Sequence, residues 1–179
     1  MAGKIYIRAT DAERAVLQRV MTTYHPALLQ ANIKVAMTMA RKFDGNEQPV
    51  HCVKFAGANA AAITRTIPLR RRVYDEHDAE IEVDGLTWDE LSEAQREALL
   101  DHELNHIRAS VGDDNAVRLD DMGRPKVNLV PDDFTLTGFY AIGRRHGRTA
   151  LEWRSVSHVH AELLRIIEEA ERQPMAVNG

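Results

Sequence analysis

The sequence predicts an α+β fold, a small mixed sheet packed on one central helix with further helices at the N- and C-terminal ends. Three observations lead there. Capping-box patterns, Thr10 with Glu13 and Ser92 with Gln95, mark the starts of two helices. Between them lie runs of period-two alternation, the signature of strands. No repeat, low-complexity tract or linker divides the 179 residues, a length that suits one domain over 1–179.

The elements follow in chain order. After Thr10, Ala12, Val16, Leu17, Val20, Met21 and Tyr24 make one broad apolar helical face that ends near His25-Pro26. Ile33, Val35, Met37 and Met39 then alternate with Lys34, Ala36 and Thr38, a strand. Asp44-Gly45-Asn46-Glu47 is a loop, and 51–67 reads as two short strands around Gly57-Ala58-Asn59, with the Ala60-Ala61-Ala62 run equally open to helix. The most regular strand is 78–84, where Ala79, Ile81 and Val83 face one way and Asp78, Glu80, Glu82 and Asp84 the other. That pattern predicts a sheet covered on one side. Gly85 and Thr87 lead into the helix opened by Ser92, which meets no Pro or Gly before Gly112. Val117-Arg118-Leu119 and Lys126-Val127-Asn128-Leu129 flank Met122-Gly123 as a hairpin. Helices are expected at 134–146, closed by Gly147, and at 156–172, followed by a frayed, disordered tail over 173–179.

Composition excludes several classes. Hydrophobic content of 44%, charged content of 28% and a formal net charge of −4 describe an ordinary globular protein with no global sign of nucleic-acid binding. The single cysteine, Cys52, cannot form an intrachain disulfide and reads as a packed thiol in a reducing compartment. No apolar run reaches membrane-span length and Met-Ala-Gly-Lys-Ile carries no signal-peptide core, so a cytoplasmic location is expected.

The chemistry is concentrated in His102-Glu103-Leu104-Asn105-His106, a complete H-E-x-x-H string. Two imidazoles four residues apart share one helical face and can reach a single Zn²⁺, while the Glu beside them can take a proton from a metal-activated water. On a helical wheel Leu100, Leu104, Ile107 and Val111 form an apolar spine. The histidines lie nearly opposite, among Ala98, Leu99 and Ala109, as if lining a partly buried cleft. The string reads as the site of a zinc hydrolase.

With a helix, strands, an acidic edge strand at 78–84 and then H-E-x-x-H, the chain resembles the zincin metallopeptidases and, more narrowly, the putative phage metallopeptidase family, which is SprT-like in layout. The resemblance runs from about Ile63 to Gly147, through Leu69-Arg70-Arg71-Arg72-Val73, Asp78-Ala79-Glu80-Ile81, Leu91-Ser92-Glu93-Ala94-Gln95-Arg96-Glu97-Ala98-Leu99 and Asp101-His102-Glu103-Leu104-Asn105-His106-Ile107. It implies a phage- or prophage-encoded zinc peptidase, with His102 and His106 as metal ligands and Glu103 as general base. It also implies that the strand at 78–84 borders the cleft, where an extended peptide substrate could add as a further strand. The family pattern places a His before the next helix as third ligand. This chain has Pro131-Asp132-Asp133-Phe134, so Asp132 takes that position, with Asp133 as second choice and helix capping as the competing role for either. Further candidates are His146, Glu152, His158 and His160, although the last two point apart on a helix.

Other groups carry weaker expectations. Tyr140, Arg144 and His146 could assist across the cleft. Arg65, Arg70, Arg71 and Arg72, and separately Arg144, Arg145 and Arg148, could form a patch for phosphates, although ion-paired arginines are the alternative and no aromatics are interleaved. Two competing functions therefore stand beside the peptidase: a degenerate zincin-fold protein that binds a host factor, and a DNA-associated module.

Overall fold

The computed structural model describes residues 3–131, 140–150 and Arg172. Its centre is a four-stranded mixed sheet in the order β1 (Ile5–Arg8), β2 (Val35–Arg41), β6 (Ala79–Asp84), β5 (Ala62–Thr66). Strand β1 (Ile5–Arg8) pairs antiparallel with β2 (Val35–Arg41). Between them runs α1 (Asp11–Tyr24), whose Thr10/Glu13 capping box is complete, and α2 (Pro26–Gln30). Pro26 at the start of α2 accounts for the break, since a proline disfavours helical backbone in the residue before it. The two short strands β3 (Lys54–Phe55) and β4 (Ala58–Asn59) form a separate hairpin, turned at Ala56 (φ 47°) and Gly57 (φ 86°). Positive φ at both central residues is the turn geometry that matches strand twist.

The run Ala60-Ala61-Ala62 is not helical, and only its last residue is in a strand: β5 (Ala62–Thr66) pairs antiparallel with β6 (Ala79–Asp84), which pairs parallel with β2 on its other side. This corrects the expectation for 78–84. Strand β6 is interior to the sheet, whose edge strands are β1 and β5. The acidic residues of β6 are not a solvated face. Glu80 accepts from Thr38 Oγ1 at 2.5 Å, and Glu82 is paired with Lys4 and Arg65. Asp84, fully buried, accepts the backbone N–H groups of Cys52, Val53 and Thr87 at 2.7, 3.1 and 3.0 Å. A carboxylate that collects backbone donors serves the chain as well as an apolar residue serves the core, and alternation in sequence cannot separate the two roles.

Asp84 also caps a helix absent from the sequence reading, α3 (Gly85–Glu90). Gly85 is required there, because a Cβ would lie 2.7 Å from Arg41 Cγ. Ser92 then opens α4 (Glu93–Asn105) with the expected Gln95 box. The core between sheet and helices joins Leu17, Val20 and Met21 of α1, Met37 and Met39 of β2, Ile81 and Val83 of β6, and Leu99, Leu100 and Leu104 of α4.

Helix α4 ends five residues or so before the expected point. His106 is its C-cap, and the chain enters β7 (Ile107–Ala109), antiparallel to β8 (Val127–Leu129). Leu100, Leu104 and Ile107 are buried as the apolar spine requires, but Val111 is 51% exposed. The ladder to β8 outcompetes the weak helical preference of Ile107 onward, a non-local pairing that periodicity cannot register. The expected hairpin around Met122-Gly123 is present as the bridge between Leu119 and Pro125, yet the main partner of 127–129 is β7, not 117–119. Helix α5 (Tyr140–His146) ends at a 3₁₀ turn, Gly147–Thr149. The expected helix at 156–172 and the tail at 173–179 lie outside the described residues, apart from Arg172. No helix among the described residues is long and apolar enough to cross a membrane.

Candidate metal centre

The H-E-x-x-H string occupies the last turn of α4 and its cap, so its three functional side chains diverge from a well-anchored piece of backbone. The rings of His102 and His106 are 5.1 Å apart between centroids and nearly perpendicular, at 78°. Two imidazoles bound tetrahedrally to one ion at Zn–N of about 2.0–2.1 Å have centroids about 5 Å apart, so the pair is spaced as one metal requires. The ring of His106 is also oriented from outside. Its Nδ1 lies 2.7 Å from the carbonyl of Val130, which can only accept, so Nδ1 carries the proton and the lone pair belongs to Nε2. The backbone repeats the link, Val130 N–H donating to His106 O at 2.8 Å. A backbone carbonyl holding the far nitrogen of a ligand histidine fixes tautomer and ring plane together.

Glu103 is 4% exposed and faces the sheet edge. Thr64 of β5 donates its hydroxyl toward Glu103 Oε2 at 2.7 Å, with Glu103 O at 3.1 Å. The edge strand therefore touches the carboxylate directly, and it is β5, not the 78–84 strand, that lies against the motif.

Behind the motif sits a group that composition and spacing did not single out. Asp101 is fully buried. It accepts from His25 Nε2 at 2.6 Å, His146 Nε2 at 2.8 Å, and Arg145 at 2.7 and 2.9 Å, with Asn105 Nδ2 at 3.2 Å. Burial pushes the Asp101 carboxyl up, but the hydrogen bonds from His146 and His25 and the charge of Arg145 outweigh it and hold the group well below the usual carboxylate range. The signal for it was a charged residue directly after Ala98-Leu99-Leu100, where a core helix would continue apolar.

The third ligand is less localised. Asp132, Asp133, Glu152, His158 and His160 lie outside the described residues. Among the described residues no three His, Cys, Asp or Glu side chains are grouped to hold a metal ion. His146 turns its Nε2 to Asp101 at 2.8 Å, and its ring meets Tyr24 edge-on at 5.6 Å between centroids. Arg144 is exposed, and the Tyr140 side chain is not described.

The arginine clusters are ion-paired in part. Arg65 pairs with Glu82, Arg72 with Asp120 at 2.9 Å, and Arg145 with Asp101, while Arg70 and Arg71 are exposed. Ion pairing, the alternative weighed for them, describes three of these side chains. Cys52 is half-buried, and burial pushes its thiol up, as expected of a packed group.

A family model described as putative phage metallopeptidase matches residues 4–164. The chain belongs to that family. The match extends well beyond the stretch from Ile63 to Gly147 and takes in β1, α1 and β2 as well as the motif. The family name points to a metal-dependent peptidase with protein or peptide substrates. The same comparisons find no match among curated proteins and none among solved structures.

Proposed function

We propose that this chain is a zinc-dependent peptidase in which His102 and His106 hold the ion, Asp132 completes the ligand set and Glu103 is the general base. The observation that carries the reading is the convergence of three restraints on one helical turn: the 5.1 Å ring pair, the His106–Val130 clamp and the Thr64–Glu103 hydrogen bond. Zinc bound there would supply Lewis acidity, acidifying a water and polarising the peptide carbonyl.

The residues of the chain do the rest. Glu103, with Oε2 held by Thr64, keeps its other oxygen for the proton of the attacking water and returns that proton to the leaving amine. Its burial against β5 keeps the transfer out of bulk water. Strand β5 is an edge strand of the sheet, and an extended peptide would add beside it next to the motif. The substrate class is therefore an extended or locally unfolded segment of protein.

Metal analysis of the purified protein with hydrolysis of an unfolded protein substrate tests this. The parent should carry about one zinc per chain; His102→Ala and Asp132→Ala should lose it to a mild chelator. Glu103→Gln should keep the metal and lose activity by about 10²–10⁴-fold. Equal activity in the parent and Glu103→Gln removes Glu103 as base, and a zinc-free parent removes the whole reading.

A further inference from the structure

We propose that Asp101 is the positioning residue of the metal centre, setting where His102 and His106 stand by tying the last turn of α4 to the two chain segments that flank it. The inference rests on the zinc reading above.

Three observations lead to it. First, Asp101 receives donors from both sides of the motif. His25 comes from the junction of α1 and α2, and Arg145 and His146 come from α5. Asn105, four residues on, donates to both the backbone carbonyl and the carboxylate of Asp101 at 2.8 and 3.2 Å, which ties the side chain to the turn that carries the histidines. Second, the other contact of that turn leads to the same place. His106 is bonded twice to Val130, and Val130 packs against Ile142 and Ala150 around α5. Asp101 and His106 thus tie α5 and Val130 to the same helical turn. Third, packing alone did not call for a charge. Leu100 and Leu104 fill neighbouring positions with no exposure, and burying an ion costs several kcal/mol before its partners return it. What a carboxylate adds over a leucine is direction: four donor groups from three elements meet it at defined angles.

A residue that merely supported the fold would lower stability and leave the affinity of the folded protein for zinc unchanged. A positioning residue changes the affinity itself. Outer groups that orient ligands typically contribute about 10–100-fold to metal affinity.

The experiment compares full-length Asp101→Asn, Arg145→Gln and Asp78→Asn with the parent, all at a temperature where circular dichroism shows them folded. Asp78 is the control, an equally buried carboxylate in a different network. Zinc affinity is read by competition with a chromogenic chelator, and coordination geometry by the absorption bands of the cobalt(II) form. Asp101→Asn and Arg145→Gln should bind zinc at least about tenfold more weakly with altered cobalt bands, while Asp78→Asn matches the parent on both. Parental affinity and parental bands in Asp101→Asn and Arg145→Gln overturn the proposal and leave the zinc reading standing. Equal weakening in Asp78→Asn also overturns it, since the effect is then general loss of stability. A parent that takes up no zinc overturns the reading and the proposal together. If Asp101→Asn does not fold, Arg145→Gln decides on the same criteria.

Discussion

Asp101 and Asp78 are both buried carboxylates held by arginine, at 0% and 1% exposure, yet they organise opposite kinds of structure. Asp78 stands at the head of β6, where it accepts from Lys34 N–H at 2.8 Å and from Arg124 at 2.7 and 3.0 Å. The arginines around it spend most of their remaining donors on backbone. Arg72 bonds the carbonyls of Ile67, Pro125 and Asp78, and Arg124 those of Arg72, Asp75 and Glu76. That network saturates carbonyls of irregular chain that no ladder can reach, and staples the segment before β6 to the 119–125 turn. Around Asp101 the donors are side chains, and they converge on one carboxylate from three helical elements. The same chemistry thus serves loops in one place and helix placement in the other. The difference lies in where the guanidinium finds its second partner, in a carbonyl or only in the acid.

The strongest way to break this comparison is to remove each acid outright. Asp101→Ala and Asp78→Ala should each destabilise the protein by about 3 kcal/mol, because each leaves part-buried arginine and backbone or histidine donors without the acid that accepts from them. Urea unfolding measures this; a cost under about 1 kcal/mol at either site would mean that water or rearrangement replaces the acid there.

Acid should reveal the helical network in a different way. Burial pushes both Asp101 and Asp84 up, but hydrogen bonds outweigh it, holding Asp84 down to about 2 and Asp101 lower still in the same sense. The unfolded chain takes up protons on these groups near pH 4 while the folded chain does not. Their contribution is therefore complete above about pH 5 and is lost as pH falls toward the folded-state values, roughly 2 kcal/mol for Asp84. Urea midpoints between pH 7 and pH 2 should decline along that limb, and Asp101→Asn and Asp84→Asn should each flatten it.

A smaller effect sharpens the contrast between what holds the motif and what works in it. Thr64→Val removes the hydroxyl donor to Glu103 and should slow hydrolysis by about tenfold, the worth of one hydrogen bond to a charged group, with Thr64→Ser restoring the rate. No recovery in the serine variant would point to packing of the methyl group instead. The smallest effect is expected at the helix starts, far from both acids. Ser92→Ala and Thr10→Ala should each cost about 1 kcal/mol, a fall in Tm of about 2–4 °C by calorimetry, with zinc retained.

Much of this was legible in the sequence because it is local. Both capping boxes, the break at His25-Pro26, the strand through Val35 to Met39 and the face shared by His102 and His106 depend on residues within about four positions of one another, where spacing and geometry are nearly equivalent. The same reasoning named Glu103 as the general base and weighed ion pairing for the arginines, but it could not name their partners.

What tertiary structure alone decided is everything that depends on distant chain. Alternation in 78–84 identified a strand correctly and its place wrongly, since sheet order is set by which strands pair and not by the strand itself. The motif helix stops at Asn105 because β8 offers Ile107–Ala109 a ladder across some twenty residues of intervening chain. His25, Thr64, Asp101 and Arg145 acquire their roles only when three helices and an edge strand meet around one turn. Spacing along the chain was enough to put a pair of imidazoles and a carboxylate on one helical turn. Folding decided what holds them, because a hydrogen bond from Val130 or Thr64 is a fact about proximity in space, which no short-range pattern encodes.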